Sequence, residues 1–151
     1  MTSIGDELEA ITAELWEAMF TDDLSLSVGG ERQSGPHRSC LVWIEGDPQR
    51  GVCAQFPEAL AVELTKSLLR SPDTPDNEAI ADAVGELGNI LAGNIKTCFP
   101  GHATLSLPAV TSGADYELKT LGTKELATRT FTTGGGVFVV SLLEADPGAG
   151  G

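Results

Sequence analysis

Basic residues are scarce in this chain of 151 residues: nine lysines and arginines stand against 22 aspartates and glutamates, a formal net charge of −13. So acidic a molecule repels phosphate backbones and anionic headgroups, which excludes non-specific nucleic-acid and membrane-surface binding. Long apolar runs are missing too; none approaches the roughly eighteen residues of a transmembrane helix. The start, Met1-Thr2-Ser3-Ile4-Gly5-Asp6-Glu7, lacks the basic flank and apolar segment of a secretory signal, so the expected compartment is the cytoplasm. Cys40, Cys53 and Cys98 are an odd number without a C-x-x-C pair, which indicates neither a disulfide framework nor a zinc site. The apolar periodicity around them reads each as a small buried hydrophobe. His37, in a turn-rich stretch, and His102, after Pro100-Gly101, are near no cluster of carboxylates or thiols. A Ser-His-Asp set, a glycine-rich phosphate loop and a metal-ligand cluster are all absent, so no intrinsic cofactor is expected, and any chemistry must borrow groups from its substrate.

What is present supports a folded core, with 41% hydrophobic and 21% charged residues. The length suits one domain, over residues 1–145, with a disordered tail expected over 146–151. Ser3 caps a first helix whose Ile4, Leu8, Ile11, Leu15, Ala18 and Met19 recur at helical spacing. Alternation then predicts strands at Leu24–Val28, Cys40–Ile44 and Val52–Phe56. Pro57 opens a second helix striped by Leu60, Leu64 and Leu68, and Thr74-Pro75-Asp76 opens a third that runs to about Cys98. Three more strands are predicted at Thr104–Leu107, Ala127–Thr133 and Val137–Leu143, the last two joined by Gly134-Gly135-Gly136. The order is helix, three strands, helix, helix, three strands. Strands grouped in hairpin-connected sets imply an α+β fold, an antiparallel or mixed sheet covered by helices.

The third helix is unusual. At about 100° per residue, Ile80, Val84, Leu87, Leu91, Ile95 and Cys98 share one face, while Asp82, Glu86, Asn89, Gly93 and Lys96 share the other. The polar face and its borders carry Gly85, Gly88 and Gly93, each costing about 1 kcal/mol relative to alanine inside a helix. Something approaches that helix closely. A partner protein is one candidate; a neighbouring helix of the same domain packing on Gly85 and Gly88 is another. Glu86 and Asn89, three apart, project side by side, with Asp82 one turn earlier. A glutamate can pair with a partner's lysine, and an asparagine amide can hold a water by donating and accepting without ionising.

The stretch Glu86-Leu87-Gly88-Asn89-Ile90-Leu91-Ala92-Gly93-Asn94-Ile95-Lys96-Thr97 resembles the E-x-x-N signature, followed by Gly-Asn, of CheX-like members of the CheC/CheX/FliY chemotaxis phosphatases, with Asp82 four residues ahead. Phe56-Pro57-Glu58-Ala59-Leu60-Ala61 and Leu105-Ser106-Leu107-Pro108-Ala109-Val110 add to the likeness, which spans about residues 40–113. The resemblance implies a phosphatase acting on the aspartyl phosphate of a CheY-like response-regulator receiver. By that resemblance Asn89 is expected to align the attacking water and Glu86 to pair with the receiver lysine, with Asp82, Gly85 and Gly93 expected to contact the partner. The receiver supplies Mg2+. It also implies a homodimer, with one site per chain, because the first helix reads Glu9-Ala10-Ile11-Thr12 where two-site relatives carry a second signature. The alternative is a non-catalytic receiver-binding or flagellar-switch adaptor, which has no need for both Glu86 and Asn89.

Overall fold

The computed structural model describes residues 3–114 and 122–146. Helix α1 (Ile4–Met19) is followed by a 3-10 turn at Asp22–Leu24 and by strands β1 (Ser27–Val28), β2 (Pro36–Glu45) and β3 (Arg50–Pro57). Helices α2 (Glu58–Leu69) and α3 (Asn77–Ile95) come next, with a 3-10 turn at Lys96–Cys98 prolonging α3. Strands β4 (Thr104–Leu105), β5 (Ala109–Ala114), β6 (Thr123–Thr133) and β7 (Gly136–Ala145) complete the order. The tail expected from 146 lies outside the described residues beyond Asp146, whose N–H donates to the Gly122 carbonyl at 2.7 Å.

Local chemistry sets the helix ends. The Ser3 hydroxyl accepts from the Asp6 N–H at 3.1 Å to start α1, and the Asp76 carboxylate accepts from the Ala79 N–H at 2.8 Å to start α3. Among the described residues seven strands form one antiparallel sheet in the order β1-β6-β7-β3-β2-β4, with β5 also on the outer edge of β2. The α+β architecture is therefore the one expected, in its antiparallel form. Gly134 and Gly135, with φ of 54° and 79°, make the two-residue turn between β6 and β7, where both positions demand positive φ.

The helices cover one face of this sheet: α3 lies on β2, β3 and β5, α2 on β2, β3 and β7, and α1 on β6 and α3. Between them lies a core that includes Trp16, Phe56, Phe131 and Phe138, each at most 1% exposed. The Trp16 indole N–H donates to the Thr133 hydroxyl at 3.3 Å, and that hydroxyl donates to the Leu24 carbonyl at 2.7 Å. No described helix is long and apolar enough to cross a membrane.

Three expectations are corrected in detail. Leu24–Val28 is not a five-residue strand; Leu24 turns into the core through the 3-10 turn, leaving only Ser27–Val28 paired with β6. Residues 36–39, read as turn, belong to β2, and His37 is buried there, its ring Nδ1 2.8 Å from the Gly35 carbonyl. The strand predicted at Thr104–Leu107 stops at Leu105, and a further strand, β5, begins after Pro108, so among the described residues the second half carries four strands rather than three.

Candidate functional site

Helix α3 is seated by its apolar face, with Ile80, Val84, Leu87, Leu91 and Ile95 at most 3% exposed. Two glycines belong to this seat. Gly88 is buried, and a Cβ placed there would lie 3.0 Å from the Cys40 Cβ and closer still to its sulfur, so α3 rests directly on β2. Gly85 is also buried, where a Cβ would touch Val110 at 3.4 Å and Pro108 at 3.5 Å. The close approach at these two positions thus comes from strands of the same chain, not from a second helix. Cys40 and Cys53 are the buried hydrophobes expected, their thiols pushed up to about 12 by burial, while Cys98 is half-buried.

A clamp holds the start of α3 in place. Arg38 of β2 donates to both carboxylate oxygens of Glu58 in α2, at 2.7 and 3.0 Å, and to the Asn77 side-chain carbonyl at the start of α3, at 2.7 Å. The hydrogen bond to Glu58 is the main cause raising Arg38 above its ordinary pKa, with burial acting against it. A bidentate guanidinium fixes direction as well as distance.

On the outer side of α3, Asp82 and Glu86 are exposed and Asn89 is half-exposed. Together with Ala81 and Gly85 they form one wall of an open depression of about 510 Å³, whose other wall is Leu107, Pro108 and Val110. Gly93 lies outside it, one turn further on, with Leu105 3.8 Å from where its Cβ would be. Among the described residues no hydrogen-bonding or ionic partner engages the side chains of Asp82, Glu86 or Asn89. The nearby Asn94, in contrast, donates its amide to the Ile90 carbonyl at 2.9 Å. The depression thus offers two carboxylates and an amide with their hydrogen-bonding capacity unspent, and among the described residues no basic side chain lines it. That combination receives a cationic group and can orient a water.

The sequence pattern does not place the apolar wall in the site, although Leu105-Ser106-Leu107-Pro108-Ala109-Val110 is one of the stretches that carry the family likeness; Pro108 is the one local signal that regular pairing breaks there. Helix α1 presents no comparable surface. Glu9 is engaged by Arg129 at 2.9 Å, and Thr12 is 0% exposed with its hydroxyl donating to the Leu8 carbonyl at 2.7 Å. Among the described residues no group of three His, Cys, Asp or Glu side chains is placed to hold a metal ion.

Residues 38–132, more than half of the chain, match the family described as chemotaxis phosphatase CheX. The chain belongs to that family. Comparison with curated protein sequences gives no match. Among solved structures the fold is similar to the chemotaxis protein CheX from Vibrio vulnificus, with a TM-score of 0.75 and 20% identity over 93% of this chain and 95% of that one. CheX from Desulfovibrio desulfuricans is similar at a TM-score of 0.70 and 18% identity, over 93% and 98% of the two chains. A chain of the CheX-CheY-BeF3-Mg2+ complex from Borrelia burgdorferi is similar at a TM-score of 0.70 and 19% identity, over 92% and 94%. At these identities the likeness establishes a shared fold, and the family match carries the assignment to CheX.

Proposed function

We propose that this CheX-family chain hydrolyses the aspartyl phosphate of a CheY-like response-regulator receiver. The observation that carries the reading is the side-by-side placement of Glu86 and Asn89, neither spent on an internal bond, on a rigidly seated helix beside an open depression. In this proposal α3 lies over the receiver's active site. The Asn89 amide accepts from and donates to one water, holding it in line with the phosphorus. That water attacks as the bond from phosphorus to the aspartyl oxygen breaks; inorganic phosphate leaves and the receiver's carboxylate is restored. Glu86 pairs with the receiver's lysine and fixes the register of the two molecules. The receiver brings the Mg2+ that neutralises its phosphoryl oxygens, and this chain needs no cofactor of its own.

Asp82 and Gly85 belong to the docking rim in the same proposal, and Gly93 lets the partner approach one turn further along. The solved complex of a similarly folded chain with CheY, BeF3 and Mg2+ supports a receiver as the partner class. A homodimer working in the cytoplasm is part of the same reading, and a sedimentation mass near one chain would count against the dimer.

The test follows decay of a phosphorylated CheY-like receiver in Mg2+ alone, with this protein, and with Asn89→Ala. The wild type should accelerate decay, and Asn89→Ala should lose about a hundredfold of that acceleration while still binding. Binding without acceleration would instead make Glu86 and Asn89 docking residues of an adaptor.

A further inference from the structure

Leu105 and Val110 are five residues apart, yet both face α3. Leu105 pairs with Ile44 and lies against Gly93, while Val110 pairs with Cys40 and lies against Gly85. On a regular strand, side chains an odd number of residues apart point to opposite faces. The discrepancy is absorbed at 106–108, where three residues stand opposite Val42 and Trp43, since Leu105 pairs with Ile44 and Ala109 with Leu41. This is a β-bulge, which carries one unpaired residue and re-aims its side chain.

Ser106 anchors the bulge. Its N–H donates to the Trp43 carbonyl at 2.9 Å, its hydroxyl accepts from the Trp43 N–H at 2.9 Å, and that hydroxyl donates to the Leu107 carbonyl at 3.1 Å. Pro108 has no N–H to leave unsatisfied. The residue thrown outward is Leu107, 91% exposed, against 56% for Leu69 and 54% for Val28, the other large apolar side chains exposed among the described residues. It stands in the wall of the depression that holds Asp82, Glu86 and Asn89.

We propose that Leu107 is the apolar docking contact of this site, the residue that recognises an apolar side chain of the receiver next to the lysine paired with Glu86. The inference rests on the receiver reading given above and names a specificity residue for it. Charge complementarity supplies the commitment: the wall facing Leu107 bears two carboxylates and no cation, so an occupant must bring a basic group and, within reach of the same depression, an apolar one. An exposed leucine is a poor positioner of water, so its contribution is to binding; it stabilises ground state and transition state alike and lowers KM without altering kcat.

The test uses the full chain, its Leu107→Ser and Leu107→Met variants, and a Mg2+-loaded CheY-like receiver, either phosphorylated for kinetics or carrying beryllofluoride for binding. Leu107 contributes no buried packing, so the melting temperature of Leu107→Ser should stay within about 2 °C of wild type. Leu107→Ser should raise KM, and Kd for the beryllofluoride form, about tenfold with kcat within about twofold, and Leu107→Met should restore both. A Kd within twofold of wild type for Leu107→Ser, or a fall in kcat at unchanged KM, overturns the docking role. Wild-type binding without accelerated decay, with binding still weakened by Leu107→Ser, sinks only the hydrolytic reading. A wild type that binds no CheY-like receiver sinks both.

Discussion

Gly88 and Cys40 meet where α3 crosses β2, so closely that a Cβ on the glycine would stand 3.0 Å from the Cys40 Cβ and nearer to its sulfur. Neither backbone can retreat easily, because α3 is held by its buried apolar face and by the Arg38 clamp, and β2 is paired on both sides. Gly88→Ala should therefore destabilise the protein by about 1–3 kcal/mol despite the better helix propensity of alanine. Cys40→Ala in the same chain should recover part of that loss by removing the sulfur. Gly93→Ala is the contrast: its nearest neighbour would be at 3.8 Å, so the fold should gain up to about 1 kcal/mol. Urea unfolding of the single and double variants checks this; a Gly88→Ala protein as stable as wild type would mean that the helix and strand separate more freely than the packing implies.

The periodicity that exposed α3 in the sequence was legible because one helix face must be apolar over five turns, and no other element competes for that pattern. The site's second wall was illegible for an equally physical reason. Thr104-Leu105-Ser106-Leu107 alternates as a half-buried strand should, and so predicts Leu105 and Leu107 on the same inner face. The bulge reverses the parity after Leu105, and a reversal of that kind is set by how 106–108 meet Val42 and Trp43, partners more than sixty residues away. Leu24, Leu26 and Val28 misled in the same way, since Leu24 is held in the core by the Thr133 hydroxyl while Val28 is left 54% exposed. The Arg38 clamp on Glu58 and Asn77 joins residues 20 and 39 apart, beyond the reach of any local pattern.

Thr12 stands where a second signature would place its asparagine, and restoring that residue should not create a second site. Its side chain is 0% exposed and bonded to the Leu8 carbonyl, and the neighbouring Glu9 is already held by Arg129. Thr12→Asn inserts a larger amide into a packed position, where unsatisfied polar atoms cost about 1–3 kcal/mol. The expected outcome is a lower melting temperature, with phosphatase rate per folded chain and receiver stoichiometry unchanged. A rate gain that survives Asn89→Ala would show that α1 can open outward and act alone.

Buried thiols give the fold a defined alkaline weakness. Cys40 and Cys53, 0% and 2% exposed, have thiols raised by burial from 9.0 to about 12. Below pH 9.0 each is protonated whether the chain is folded or not, and their contribution to stability is then fully present. Above that value the unfolded chain releases the protons while the folded chain retains them. The unfolded state thus binds fewer protons, and stability must fall as pH rises from about 9 toward 12. The informative quantity is the difference between two proteins: Cys53→Ala should flatten the decline relative to wild type by one proton's worth of slope, whatever it costs in packing at neutral pH. Both thiols should likewise resist iodoacetamide at pH 8 until the protein is unfolded, because the reactive species is the thiolate and burial withholds it. Rapid alkylation of Cys53 in the native protein, or parallel pH curves for wild type and Cys53→Ala, would mean that this face of the sheet opens to water far more often than its burial implies.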